Sequence, residues 1–174
     1  MGSVQIISFE RDKAAASAME RRHAAMRDAL TAQVEDLVTA VASGGAEAAE
    51  AVRRELWDWC RSDLLPHAWA EEKAMYPVAY ADPRATLLVE GMLAEHEVIS
   101  GLVDQVGAAE EPVRAAAAAN ALAHVFSSHL AKENEQLLPL LTRSPHVSLA
   151  DLLDGMHDLV GVARREREQD LVSR

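Results

Sequence analysis

The sequence predicts an all-α protein: an antiparallel up-down-up-down four-helix bundle followed by a short C-terminal helical extension. Three observations predict it. Alanine supplies 33 of 174 residues, while Phe, Trp and Tyr together make up only 4%. Alanine is the best helix former, and strands favour aromatic and β-branched side chains. Turn-forming clusters divide the chain into four long stretches. Within each stretch apolar residues recur every three or four positions, the period of a helix with one buried face.

The first stretch runs from about residue 11 to 41 and stops at Ser43-Gly44-Gly45. Its apolar face reads Met19, His23, Met26, Leu30, Leu37 and Val41, with Val34 beside it. The second runs from about 46 to 75 and closes near Tyr76-Pro77 and Asp82-Pro83. Its face reads Trp57, Cys60, Leu64, His67, Glu71 and Met75. Pro66 removes an internal hydrogen bond and predicts a kink just before His67. The third, about 84 to 106, shows Met92, His96, Ile99, Val103 and Val106. The fourth opens at Pro112, runs to about 141, and shows Leu122, Phe126, His129, Glu133, Leu137 and Leu140. Short connections make such helices antiparallel neighbours. Residues 11–142 are therefore assigned to the bundle. Residues 143–174 form the extension, with a short helix from Ser148 (a candidate N-cap) to Val160 and a charged tail that frays.

The chain carries 17 basic and 28 acidic residues, a net charge of −11. Such a surface repels nucleic acid and anionic membranes. No stretch approaches the ~20 apolar residues of a membrane span, and the N-terminus lacks the basic and apolar regions of a signal peptide. With a single cysteine, Cys60, the expected location is the cytoplasm.

Polar residues interrupt every apolar face: His23; His67 with Glu71; His96; and His129 with Glu133. A carboxylate buried without a compensating charge costs several kcal/mol. Neither Lys nor Arg lies in these faces, so a metal ion is the direct source of that charge. Imidazole with carboxylate suits iron, manganese or zinc. His67 and Glu71 stand four residues apart, one turn apart on one helix face, and His129 and Glu133 repeat the pattern. A carboxylate from each of two facing helices can bridge two ions, with histidines capping the outside.

Axial heights test the set. His23 and His67 stand about 21 and 22 residues from the Gly44-Gly45 tip. The His67/Glu71 pair and His96 stand about 13 and 14 from Asp82. The fourth helix fits less well, with a mismatch of roughly 7 Å at 1.5 Å per residue. By height His124 fits better, although it lies off the stripe, so it is kept in reserve. His146 and His157 read as surface or docking residues. Trp57, Trp59 and Trp69 read as packing, and Cys60 as a small buried hydrophobe. Glu72 and Glu135 read as solvent-facing.

These residues resemble the hemerythrin-like, or HHE cation-binding, family. The match is the ordered set His23, HAWAE (His67 to Glu71) running into EKAMYP, His96 in LAEHEVI, and HLAKE (His129 to Glu133) running into NEQLLP. It covers roughly residues 12 to 142. The resemblance implies a non-haem di-iron centre, with His23, His67, His96 and His129 as terminal ligands and Glu71 and Glu133 as bridging carboxylates. An oxo or hydroxo bridge completes it, and manganese or zinc can substitute. The oxygen-carrying members have a histidine where this chain has Ser100 and an aspartate where it has Asn134, so the chain resembles the H-HxxxE-H-HxxxE branch. The lost imidazole opens a position for water, a carboxylate or a tyrosine, and favours reaction with peroxide, O2 or NO over reversible oxygen carriage.

The expected function is binding or turnover of oxygen-derived small molecules, peroxide foremost, with catalase-like chemistry if the protein is an enzyme. Two alternatives stand beside it. One is an iron, oxygen or redox sensor that signals through helix packing, with a protein partner or second copy meeting residues 143–174. The other is a di-iron oxidase of an organic substrate, which a large cavity beside the metals would favour.

Overall fold

A computed structural model describes the backbone of residues 2–172 and the side chains of residues 9–161. Every regular element among them is helical. They are α1 (Gly2–Ala42), α2 (Ala46–Trp59), a π-helical segment (Cys60–Leu64), α3 (Leu65–Ala74), α4 (Tyr76–Tyr80), α5 (Thr86–Ala108), α6 (Pro112–Lys132), a second π-helical segment (Glu133–Leu137), α7 (Leu138–Thr142) and α8 (Leu149–Val172). Gly44 ends the first stretch at φ 73°, a left-handed conformation that glycine adopts without steric cost. Among the described residues no helix is long and apolar enough to cross a membrane.

The expected kink at Pro66 takes the form of a π-helical segment. The Leu65 N–H donates to the Cys60 carbonyl, five residues back. Proline has no N–H, and its ring crowds the carbonyl four residues earlier. A wider π turn moves that carbonyl aside. The same device recurs before Pro139, where the Leu138 N–H donates to the Glu133 carbonyl. Each π segment is followed by one leucine and then proline, and the sequence carries this as two Leu-Leu-Pro triplets. The extra residue in the second π turn also rotates the apolar face. Leu138 and Leu141 become buried in place of the expected Leu140.

The chain packs as two compact units. The first draws on the described parts of Met1–Arg22, Pro66–Gly91 and Lys132–Arg174, the second on His23–Leu65 and Met92–Ala131. The second unit gathers pieces of α1, α2, α5 and α6 around Leu30, Leu37, Leu56, Val103, Leu122 and Phe126, each at most 2% exposed. The predicted faces of α1 and α5 are the buried ones. On α2, however, Leu56 is buried and its neighbour Trp57 only half so.

Trp57 instead closes the end of α5. The Arg61 guanidinium carbon sits 4.5 Å above its ring, and a methyl group at Gly107 would stand 2.7 Å from the indole Cε2 and 2.8 Å from Cδ1. Arg53 donates to the Val106 and Gly107 carbonyls at 3.0 and 2.7 Å while paired with Glu50. These bonds satisfy acceptors that the end of α5 leaves open. Gly107→Ala should therefore destabilise by about 1–3 kcal/mol, the usual cost of overpacking, read as a lower midpoint in denaturant unfolding. An unchanged midpoint would show that the indole moves aside freely.

The first unit buries Met75, Tyr76, Ala79, Val89, Leu138 and Leu153 among others. Here α8 docks by its first turn. Buried Asp12 accepts from the Ser148 hydroxyl and the Ala150 N–H, both at 3.0 Å. Ser148 Oγ in turn accepts the Asp151 N–H at 3.3 Å, which makes it the expected N-cap. Arg11 pairs with Asp151 and Asp154. The helix continues through the stretch expected to fray, as far as Val172. Arg174, the last residue of the predicted tail, lies outside the described residues.

Candidate metal centre

All six residues singled out in the apolar faces are buried. His23, His67, Glu71, His96, His129 and Glu133 are exposed by 1, 2, 1, 6, 1 and 0%. Carboxylates are rarely so buried unless something stabilises their charge.

In the first unit, His67 Nε2 stands 2.9 Å from Glu71 Oε1, the contact that the i,i+4 spacing on α3 predicts. Glu133, the first residue of the second π segment, accepts from the Tyr76 hydroxyl at 2.8 Å through Oε1. Burial raises the Tyr76 pKa well above that of an ordinary phenol, and the carboxylates of Glu133 and Glu71 push it the same way. The hydroxyl therefore stays protonated and donates a hydrogen bond to Glu133. Arg22 Nε lies 3.5 Å from His67 Nδ1. Arg22 sits one position away from the buried face of α1, outside the apolar stripe.

In the second unit His23 is buried on α1. His96 Nε2 and His129 Nε2 stand 3.0 Å apart, and their ring centroids 4.5 Å apart. His129 is buried in this contact, whereas the reserve candidate His124 is exposed. The height mismatch has a geometric cure. Side chains tilt toward the N-terminus of their own helix. The chain turns back between α5 and α6, so His96 leans away from the turn and His129 leans toward it, and the rings meet.

His129 Nδ1 lies 3.1 Å from Glu95 Oε2. A carboxylate on one ring nitrogen fixes the tautomer and presents the other nitrogen as a donor. Neither Glu95 nor Tyr76 was identified from the sequence. The available signals were the glutamate next to His96 in LAEHEVI and the tyrosine in EKAMYP. Removing such a carboxylate typically lowers metal affinity about 10–100-fold. Glu95→Ala should do so in competition with a chelator while leaving the helical content unchanged; unchanged affinity would make Glu95 a surface residue that happens to lie close.

His146 is exposed, as expected, and so is His157, although it lines a cavity. Cys60 is fully buried, and burial raises its thiol pKa to about 12, consistent with an inert apolar role. Glu135 is exposed, but Glu72 is half-buried. Trp69, expected to pack, is 39% exposed. It follows Ala68, which with Ala70 occupies the buried side of α3.

Buried imidazole nitrogens and carboxylate oxygens form a donor set suited to a borderline or hard cation. His23, His67, Glu71, His96 and His129 are buried residues of the kind that could hold a metal ion. Glu133 stands against Tyr76.

A chain whose described regular elements are all helical, with buried histidines and glutamates that could hold a metal ion, has the make-up of a helical cation-binding protein. The model of the hemerythrin HHE cation-binding domain matches residues 14–141, and the chain belongs to that family. No curated protein and no solved structure matches it significantly.

Proposed function

We propose that this chain is a non-haem di-iron protein of the H-HxxxE-H-HxxxE branch that reacts with oxygen-derived small molecules, peroxide foremost, with O2 and NO as further ligands. In this reading residues 11–142 form an antiparallel four-helix bundle. His23, His67, His96 and His129 are terminal ligands, and Glu71 and Glu133 bridge. Residues 143–174 form an extension outside the bundle, where a partner protein or second copy would meet, and the protein works in the cytoplasm. The observation that carries the reading is six donor side chains, each at most 6% exposed, in a chain of this family.

Bound iron would supply Lewis acidity and a reversible two-electron change. The chain's own residues supply the rest. Glu95 holds the His129 imidazole. Tyr76 keeps a proton against Glu133, beside the candidate ligands. Ser100, where oxygen carriers have an imidazole, leaves a position free for a small molecule.

Metal analysis and the visible spectrum of protein purified aerobically from iron-supplied cells test this reading, together with oxygen release from hydrogen peroxide. About two iron atoms per chain, a near-ultraviolet shoulder and steady oxygen release are expected. Metal near zero after iron loading would overturn the whole reading. Full iron without turnover would overturn the peroxide chemistry alone.

A second reading, an oxidase of an organic substrate, draws on one observation: a cavity of about 300 Å³ with His67 in its wall.

A further inference from the structure

The cavity lies within the first unit. Its lining includes Met19 and Arg22 of α1, His67 of α3, and Leu153, Met156 and His157 of α8. The docking of α8 builds it: Asp12 and Arg11 hold the first turn of α8, which places Leu153 and Met156 in the wall.

Size and chemistry both restrict the occupant. A volume of about 300 Å³ lies at the lower end of organic-ligand pockets. Peroxide or O2, with two heavy atoms, would fill a small part of it. A water molecule takes about 30 Å³ in the liquid, so the space is that of roughly ten waters, which suits a molecule of about ten non-hydrogen atoms. Thioether and aliphatic side chains make an apolar body the better fit. The lining contains Arg22, His67 and His157 but no carboxylate, in a chain with a net charge of −11. The planar guanidinium matches a carboxylate with two parallel hydrogen bonds.

We propose that this cavity binds a small organic anion with an apolar body, a medium-chain monocarboxylate, its carboxylate on Arg22 and its chain against Met19, Leu153 and Met156. Because Arg22 Nε lies 3.5 Å from His67 Nδ1, the carboxylate is held beside a candidate metal ligand. The inference deepens the oxidase reading by naming a substrate class, but the binding itself needs no metal.

Calorimetric titration with octanoate, and with octan-1-ol as the uncharged comparator, tests it on metal-free and iron-loaded protein. Octanoate should bind the wild type about tenfold or more tighter than octan-1-ol, the scale of a charge-assisted hydrogen bond. Arg22→Gln should remove most of that difference while leaving octan-1-ol binding unchanged, and Arg22→Lys should fall between. Ala18→Phe, at an exposed lining position, should weaken both ligands without altering helical content. No octanoate binding, or equal affinity for the two ligands, would overturn the proposal. Binding indifferent to both Arg22→Gln and Ala18→Phe would place the anion elsewhere and overturn it too. Octanoate binding by protein that takes up no iron would leave this site standing and sink the metal reading. Full iron without octanoate binding would do the reverse.

Discussion

Glu71→Ala and Glu133→Ala should each strip the candidate centre of its metal, while His124→Ala leaves metal content unchanged. Both glutamates are buried to 1% exposure or less, and each would neutralise two ions at once as a bridging ligand. Loss of a carboxylate that only supports a ligand already costs about 10–100-fold in affinity, so loss of a bridging ligand should leave roughly a tenth of the wild-type metal or less. His124 is exposed and off the buried face. Glu133→Ala has a further consequence. It removes the charged acceptor to which the Tyr76 hydroxyl donates at 2.8 Å, and the loss of such a bond costs about 1.5–3 kcal/mol. Metal analysis and denaturant unfolding of the variants read both effects. Equal metal loss in all three single variants would mean that the fourth-helix ligands are misassigned.

Removing the metal should lower the melting temperature by about 8–16 °C. A ligand that binds only the folded chain, present at a thousandfold excess over Kd, contributes about 4 kcal/mol. In a chain of this length each kcal/mol moves the midpoint by about 2–4 °C. The apoprotein should still be helical, because Leu30, Leu37, Leu56, Leu122 and their neighbours form an apolar core among themselves. The sign with pH follows from competition. Protons and metal contend for the same imidazole nitrogens, so the metal-linked stability is present at neutral pH and is lost as pH falls. Calorimetry of apo and holo samples from neutral to acid pH checks this. Identical midpoints at neutral pH would make the metal peripheral.

The ligand candidates were legible because they break a pattern. A histidine or glutamate in an apolar face of helical period is conspicuous, and the i,i+4 pair His67–Glu71 is a local contact that helix geometry alone guarantees. The supporting residues were not legible. Glu95 lies beside His96 in sequence but serves His129, 34 residues away. Tyr76 serves Glu133, 57 residues away. No local period marks either one.

The sequence by itself determined the helical class, the positions of most helix ends, the buried faces of α1 and α5, and the Ser148 cap. Each of these follows from propensity, period or a turn residue acting within a few positions. Tertiary structure decided the burial of His129 and the exposure of His124, the shift from Leu140 to Leu141 behind a π turn, the burial of Leu56 rather than Trp57, and the cavity between α1 and α8. These depend on which side chains meet across helices, and on how one proline or one docked helix turns a face. Spacing along the chain fixes which residues share a helix face, but only packing fixes what that face meets.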